Sequence, residues 1–181
     1  MGERLTITSS ESVEIRESGP ELLEVEATYG PGGKPPPPHW HPAQDERFEV
    51  IEGSLRVRTP ERERTLKAGD EIEISREAVH QMWNPHDAPA RVRWRTRPAG
   101  RTERWFRAID RLHREGRVGR NGMPGPLAFG VLLTEYDDTF RLDAKPQFLV
   151  RGVLRGLGAI GRLRGYSPHP ESPPGAVRGR G

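Results

Sequence analysis

The chain has 181 residues, a formal net charge of +3 and no cysteine, which excludes a disulfide framework and thiol chemistry. Only 33% of the residues are hydrophobic and 30% are charged, so we expect one folded domain with an added subdomain and an extensive charged surface. The sequence shows neither an apolar leader nor an uncharged apolar stretch of about 18 residues, so we expect a cytoplasmic protein without a membrane-spanning helix.

The N-terminal part predicts short strands. Residues 4–8 and 12–16 alternate weakly between apolar and polar side chains, which is typical of edge strands or a hairpin. Residues 21–29 alternate more clearly, and their apolar side chains share one face: Leu23, Val25, Ala27 and Tyr29.

A turn at residues 30–33 leads into four consecutive prolines, Pro35 to Pro38. Such a run favours a stiff polyproline II segment, which would fix the direction in which His39 enters the fold. The alternative is a rigid surface loop that touches no ligand.

His39 and His41 are separated by one residue, so in a strand both side chains point to the same face. Glu46 opens the next alternating run, in which Phe48 and Val50 share its face. That face would be the interior. Two imidazoles and a carboxylate among apolar neighbours suit a divalent transition metal.

Further short strands follow at regular spacing, which predicts an all-β barrel or sandwich: residues 46–52, 54–59, 63–67, 70–74, 79–84 and 90–97. In the fifth of these, His80 and Met82 share one face. The candidates for the interior are Phe48, Val50, Leu55, Val57, Ile72, Ile74, Met82, Val92 and Trp94.

Two motifs in this region resemble those of the cupin superfamily, and the resemblance covers roughly residues 20–97. The first motif is complete, with Gly33, His39, His41, Glu46 and Gly53 in register. The second retains Gly69, His80 and Asn84, but it has Ser75 and Glu77 where proline and glycine are expected. A glutamate at a position that requires positive φ would cost about 1 kcal/mol.

The resemblance, which is strongest to small single-domain cupins, implies a mainly β protein. Its antiparallel barrel, a jelly roll or double-stranded β-helix, would span residues 1–99, with the motifs at 33–84. It also implies metal ligands at His39, His41, Glu46 and His80, and the metal could be Fe, Mn, Ni, Cu or Zn. The alternative is a metal-free site in which the histidines and the glutamate bond to each other. The remaining histidines, His86, His113 and His169, are expected to be hydrogen-bonded or exposed.

The resemblance further implies a small-molecule ligand and two classes of function. One is a metal-dependent oxygenase or isomerase, and the other is a non-catalytic module that binds a small ligand or senses metal. A third and less favoured alternative, which does not depend on the resemblance, is a structural dimer whose helices bind another protein. No nucleophile or separate acid–base pair stands out, so the catalytic residues stay unassigned. Candidate ligand contacts, each of which could instead be core packing, are Tyr29, Trp40, Gln44, Phe48, Met82 and Trp94; Gln81 is a further candidate for orienting a ligand.

After Pro98 the apolar period becomes helical, which predicts a helical extension at 100–165 with helices over 102–115, 126–136 and 146–164. The last helix has an apolar stripe of Leu149, Val153, Leu157 and Ile160. We expect this stripe to pack on the barrel or on a second copy of the chain, and we predict a homodimer. An amphipathic helix on an anionic membrane surface is the less favoured alternative. Residues 166–181, rich in proline and glycine, predict a flexible tail.

Basic residues alternate along the last predicted strand at Arg91, Arg93, Arg95 and Arg97, while Glu71 and Glu73 form a similar acidic row. Rows of mixed sign favour cross-strand ion pairs over a surface for phosphates, so we do not expect nucleic-acid binding.

Overall fold

The computed structural model describes residues 2–168. The strands are β1 (Arg4–Thr6), β2 (Glu11–Ser18), β3 (Leu23–Tyr29), β4 (His39–Trp40), β5 (Asp45–Glu52), β6 (Ser54–Arg58), β7 (Glu63–Lys67), β8 (Glu71–Ile74), β9 (Gln81–Trp83), β10 (Ala90–Arg97) and β11 (Arg141–Leu142). The helices are α1 (Thr102–Arg114), α2 (Pro126–Glu135) and α3 (Gln147–Leu163).

The largest sheet has six strands in the order β1-β2-β3-β10-β5-β8, with antiparallel pairing throughout. Its inner face is the one that the sequence alternation predicts, since Leu23, Val25, Ala27 and Tyr29 are all buried. Val92 of β10 lies between Ala27 and Val50 of the neighbouring strands and is fully buried. The apolar face of this sheet therefore forms one wall of the core.

The remaining strands form a three-stranded sheet, β7-β6-β9, and a two-stranded sheet that pairs β4 with β11. Leu55, Val57 and Met82 of the three-stranded sheet belong to the same hydrophobic core as the inner face of the large sheet. The mainly β, antiparallel jelly roll is confirmed, but its form is a sandwich of sheets and not a closed barrel. The short β11 was not expected from the sequence.

Arginines of β10 pair with glutamates on neighbouring strands, which confirms the predicted cross-strand ion pairs. Arg93 contacts Glu49 at 2.6 Å, and Arg95 contacts Glu24 at 2.6 Å. The row of arginines is thus largely neutralised by partners within the sheet, as the alternating sequence predicts.

Helix α1 joins the core through one face, which includes Trp105, Phe106 and Ile109. Its Asp110 also accepts a hydrogen bond of 2.8 Å from the backbone N–H of Thr6, so α1 is attached to the edge strand β1. The helix therefore packs beside the edge strand of the large sheet and extends the hydrophobic core.

Helices α2 and α3 pack closely because glycines face each other. A Cβ atom on Gly130 would lie 2.7 Å from the Cβ of Leu157, and one on Gly161 would lie 2.7 Å from the carbonyl oxygen of Leu127. Larger side chains at these positions would push the two helices apart, since contacts under about 3 Å are prevented by steric overlap.

Of the two surfaces predicted to cover the apolar stripe of the last helix, the β-sandwich does not do so. Leu157 faces α2, but Leu149, Val153 and Ile160 are 56%, 61% and 48% exposed, so the stripe is not covered by the β-sandwich. Phe148 and Leu163 are exposed on the same helix. We call the exposed residues Phe148, Leu149, Val153, Ile160 and Leu163 the outer face of α3.

Three residues of the predicted tail are described, and they contact the rest of the protein. Arg117 lies over the ring of Tyr166, with its Cζ atom 5.0 Å from the ring centroid. The hydroxyl of Tyr136 donates a hydrogen bond of 3.0 Å to the carbonyl oxygen of Pro168. The rest of the predicted tail, including His169, lies outside the described residues.

Candidate metal and ligand site

Three histidines converge at one end of the β-sandwich. His39 lies on β4, His41 follows that strand directly, and His80 precedes β9 and forms a bridge with His39. Each offers one ring nitrogen, and these atoms lie within 4.8 Å of one another. The structure therefore brings together residues from both sequence motifs.

Glu46 contacts two of these rings from β5. Its Oε2 atom lies 3.2 Å from Nε2 of His41 and 3.2 Å from Nε2 of His80, and its side chain is 1% exposed. Its other oxygen, Oε1, accepts a hydrogen bond of 3.1 Å from the indole N–H of Trp94. The carboxylate is thus fixed in place with one oxygen directed at the histidines.

The three rings are oriented by backbone carbonyl groups. Nδ1 of His39 lies 2.8 Å from the oxygen of Pro37, Nδ1 of His41 lies 2.7 Å from that of Thr139, and Nδ1 of His80 lies 3.0 Å from that of Ala78. Because a carbonyl oxygen can only accept, each Nδ1 carries the proton of the neutral ring. Each Nε2 is then a free acceptor, which is the form that binds a metal.

This arrangement places acceptors opposite acceptors. Oε2 of Glu46 is buried and has no hydrogen-bond partner within residues 2–168, although two Nε2 atoms lie 3.2 Å from it. Unpaired acceptors that face each other away from water are costly unless a proton or a cation lies between them. Three imidazoles and one carboxylate suit a divalent transition metal, so the residues fit the metal that the sequence motifs imply.

Without a cation, burial and the neighbouring charges set the pKa of each group in the site. Burial opposes ionisation of Glu46, but the neighbouring His41 and His80 outweigh it and lower the pKa of the carboxyl to about 2. Burial also opposes a charge on His80, yet Glu46 raises the pKa of that imidazole above its ordinary value. Burial and the two other histidines hold the pKa of His39 well below its ordinary value.

The turn before His80 retains the geometry that a glycine would favour. Glu77 has a φ of 65°, the only positive φ of a non-glycine residue in the described range. Its backbone N–H donates to the carbonyl oxygen of His41 at 2.9 Å, which joins the two motifs. The glutamate in place of the motif glycine therefore leaves His80 in the cluster, and its consequence is local backbone strain at residue 77.

A cavity of about 110 Å³ opens beside the histidines. Its walls are mainly apolar and come from the β-sandwich, from α1 and from the segments around α2: Ile7, Phe48, Met82, Trp94, Trp105, Phe106, Ile109, Met123, Phe129 and Phe140. A cavity of about 150 Å³ accepts a benzene molecule, so the space suits a small organic ligand.

The predicted ligand contacts divide into two groups. Tyr29, Phe48, Met82 and Trp94 line the cavity. Trp40 and Gln44 do not: Arg141 lies 5.1 Å from the ring centroid of Trp40, and Gln44 is buried against Gly100. Gln81 also lies outside it, and its amide donates a 2.5 Å hydrogen bond to the carbonyl oxygen of Pro36.

The proline run contributes directly to the site, unlike a surface loop without ligand contact. Pro36 and Pro37 line the cavity, and the carbonyl oxygen of Pro37 orients His39.

The other described histidines are not part of the cluster. Nε2 of His113 lies 3.2 Å from the carbonyl oxygen of Ile7, whereas Nε2 of His86 is buried without a hydrogen-bond partner in the described part of the chain.

Several residues that line the site lie outside the sequence motifs. Phe140 stacks on the ring of His39, with centroids 4.5 Å apart, and Trp105 stacks on Phe140 at 4.9 Å. The helical spacing of Trp105 indicated a buried face but not which cavity it lines. Nothing in the sequence pattern connected Phe140 or Thr139 with residues about 100 positions earlier.

Comparison with known proteins gives the family of the β-sandwich. The family model for the cupin domain, Cupin_2, matches residues 25–94. This segment is a cupin domain. It includes all four predicted metal ligands, whereas α1, α2 and α3 lie outside the matched residues. A comparison with curated proteins gave no match.

One solved structure with a TM-score above 0.5 supports the same fold. The cupin domain resembles an RmlC-like cupin from Shewanella frigidimarina NCIMB 400, with 18% identity over 57% of this chain and 89% of that chain and a TM-score of 0.51. A sugar phosphate isomerase of the cupin superfamily from Silicibacter pomeroyi DSS-3 matches with 24% identity over 53% of this chain and 71% of that chain, at a TM-score of 0.47. The polyketide cyclase RemF from Streptomyces resistomycificus matches with 18% identity over 53% and 73%, also at 0.47. At these identities the likeness concerns the fold alone.

No helix within residues 2–168 is both long enough and apolar enough to cross a membrane.

Proposed function

We propose that this cupin holds a divalent transition metal with His39, His41, Glu46 and His80, and that it acts on a small organic molecule in the adjoining cavity. The observation that carries this proposal is the set of three Nδ1–carbonyl bonds, which leave three Nε2 acceptors directed towards one another and two of them towards Glu46. A metal with three imidazole ligands and one carboxylate would supply Lewis acidity or oxygen activation.

The residues of this chain would contribute placement and exclusion of water. Trp94 fixes Glu46 through its indole N–H, and Phe140 stacks on His39, so the proposed ligands keep their orientation. The aromatic walls bury an apolar ligand and leave little space for water beside it. We favour a metal-dependent oxygenase or isomerase.

The second candidate is a module that binds a small ligand or senses metal without catalysis. The mainly apolar cavity wall favours it, because general acid–base catalysis requires a group within hydrogen-bond reach of the substrate and an apolar wall offers few such groups. Among the lining residues the charged or ionisable side chains are the three histidines, Glu11 and Tyr29.

The experiment that separates these candidates has two steps. Elemental analysis of the purified protein identifies the metal, and oxygen consumption is then recorded with catechols, thiols and 1,3-diketones. Turnover with oxygen uptake that is lost in His80→Ala supports an oxygenase. Tight binding of metal and ligand without turnover of any of these compounds supports the non-catalytic module.

We also propose that two copies of the chain associate through the outer face of α3. Leu149 and Val153 are exposed there, and Cβ atoms added to Gly152 and Gly156 would meet nothing within 4 Å. Glycine on the opposite side of this helix already allows close packing against α2. The same feature would let the α3 helix of a second copy approach closely and cover the apolar side chains.

A further inference from the structure

A carboxyl group and a phenol lie together in the wall of the same cavity. Glu11 of β2 and Tyr29 of β3 are directly opposed in the antiparallel register, and both side chains line the cavity. Opposed side chains of adjacent strands point to the same face of the sheet. Tyr29 is 6% exposed, Glu11 is half-buried, and the phenol lies close enough to the carboxyl group to shift its pKa. Neither residue belongs to the two histidine motifs.

The sequence shows why Glu11 points inwards. Val13 on the same strand is buried and belongs to the core, and residues two positions apart on a strand share a face. A glutamate therefore occupies a position where the alternation of β2 calls for an apolar residue. Even partial burial of a carboxyl group costs free energy, so this half-buried position needs a compensating partner.

The described residues provide only part of that compensation. Burial raises the pKa of Glu11 to about 7, and the hydrogen bond with Tyr29 opposes this rise. Burial and the charges of Glu11 and Glu46 raise the pKa of Tyr29 well above its ordinary value, so the phenol keeps its proton and donates. Within residues 2–168 no arginine or lysine forms an ion pair with Glu11, and the other ionisable groups of the cavity are the three histidines.

We propose that Glu11 and Tyr29 form a polar anchor for the ligand, separate from the histidine cluster. The ligand is then a small, mainly apolar compound, about the size of one aromatic ring, with a hydroxyl or amino group that donates to Glu11. This inference rests on the proposed function in one respect: the histidine cluster is taken as the second polar contact of the ligand. It explains a half-buried acceptor among aromatic walls, because a donor from the ligand supplies the missing hydrogen bond.

The size of the cavity limits the choice of probe. At about 110 Å³ it is smaller than a cavity that holds benzene, so a single-ring compound requires only a small adjustment of the walls. Phenol and toluene have nearly the same shape, but only phenol can donate a hydrogen bond. Their affinities, measured by isothermal titration or by ligand-observed NMR, therefore isolate the contribution of the donor.

We expect the wild-type protein to bind phenol more tightly than toluene by about tenfold, as is typical of a hydrogen bond to a charged acceptor. Glu11→Met replaces the carboxyl group with an apolar group of similar length and should abolish this preference while toluene still binds. The matched control is Glu17→Met, an exposed position on the same strand, which should keep the preference. Tyr29→Phe should weaken the preference without removing it.

The preference should also depend on pH. Since Glu11 titrates near neutral pH, phenol should gain affinity relative to toluene between about pH 6 and pH 8 in the wild type but not in Glu11→Met. Glu11→Met keeps the three histidines, so the comparison of its affinity ratio with that of the wild type separates the titration of Glu11 from theirs.

The outcomes distinguish this inference from the metal proposal. A wild type that binds no metal but prefers phenol through Glu11 would refute the metal centre and support the anchor. A protein that binds metal but shows the same phenol-to-toluene ratio in the wild type and in Glu11→Met would overturn the anchor alone. Failure to bind either probe in a folded protein would overturn the anchor as well.

Discussion

Nδ1 of His41 lies 2.7 Å from the carbonyl oxygen of Thr139, a residue 98 positions further along the chain. A proposed metal ligand of the cupin domain is therefore oriented by the segment between α2 and α3. Because this hydrogen bond selects the ring tautomer, the helical extension contributes to the chemistry of the site as well as to its walls. Removal of the extension should then impair the site even if the β-sandwich still folds.

Phe140 provides a point mutation that tests this contribution. Phe140→Ala removes the ring that stacks on His39, and we expect metal affinity to fall by about tenfold, at the lower end of the effects of groups that orient metal ligands. Isothermal titration with Zn²⁺ measures this change. Phe148→Ala is the matched control because Phe148 is 73% exposed on α3. Equal affinities for Phe140→Ala and the wild type, both folded by circular dichroism, would contradict the prediction.

Metal affinity should fall as the pH falls. Glu46 raises the pKa of His80 above its ordinary value, so the metal must displace a proton from this ring once the pH falls below that raised pKa. The pKa of His39 is lowered and that of Glu46 is about 2, so these two ligands are already deprotonated there. We therefore expect the metal affinity to be lower at about pH 5 than at about pH 7.5, with a loss that approaches tenfold per pH unit once the His80 ring is protonated.

Isothermal titration at both pH values, in buffers with different ionisation enthalpies, measures the affinity and the number of protons released. Equal affinities at the two values would show that histidines are not the ligands. In the metal-free protein, His80 makes the free energy of unfolding depend on pH in the opposite direction to metal affinity. Because its pKa is raised in the folded state, His80 stabilises the fold below its unfolded pKa, and this contribution is lost as the pH rises through the folded pKa.

Glu77→Gly should stabilise the protein. Glu77 is exposed and has a φ of 65°, a conformation that costs a residue with a Cβ atom about 1 kcal/mol relative to glycine. For a chain of this size, thermal unfolding should shift upwards by about 2–4 °C. Glu77→Ala is the control, because alanine removes the side-chain charge but keeps the Cβ atom, and it should give no such shift. An equal or lower melting temperature for the glycine variant would contradict the strain.

The predictability of this fold follows from the alternation of buried and exposed residues. Strands such as β3 and β5 have one buried face, so their sequence specifies both the element and its orientation. The helical periods likewise predicted all three helices. The alternation also places Glu11 on the same face as Val13, although a carboxylate is an unusual residue at an inward position because its burial is costly.

Contacts between distant segments were beyond the reach of the sequence. His39, His41, Glu46 and His80 follow a local spacing, whereas Phe140 and Thr139 reach the site only because α1 and α2 return the chain to it. The outer face of α3 shows the same limit. Its apolar stripe was visible, but which residue of the stripe contacts α2 depends on the glycine packing, which placed Leu157 inside and Leu149 outside.

Association through the outer face of α3 is tested by two substitutions. The wild type should behave in light scattering as a species of about twice the 20.4 kDa mass of the chain. Leu149→Glu combined with Val153→Glu introduces charges into this face without touching α2, so this variant should be a folded monomer. A wild-type monomer at the same concentration would contradict the dimer. If that wild-type monomer co-sedimented with anionic lipid vesicles, the outer face of α3 would be a membrane-binding surface.

The central claim is that three imidazoles and Glu46 hold a metal, and elemental analysis by mass spectrometry tests it most directly. After purification and exposure to Fe²⁺, Mn²⁺, Ni²⁺, Cu²⁺ or Zn²⁺ followed by desalting, the wild type should retain about one ion per chain for at least one of these metals. His39→Ala, His41→Ala and His80→Ala should each lose it and remain folded, and His113→Ala, whose ring contacts the carbonyl of Ile7 outside the cluster, should retain it. A wild type that retains none of these metals, or a His80→Ala variant that retains as much as the wild type, would contradict the account.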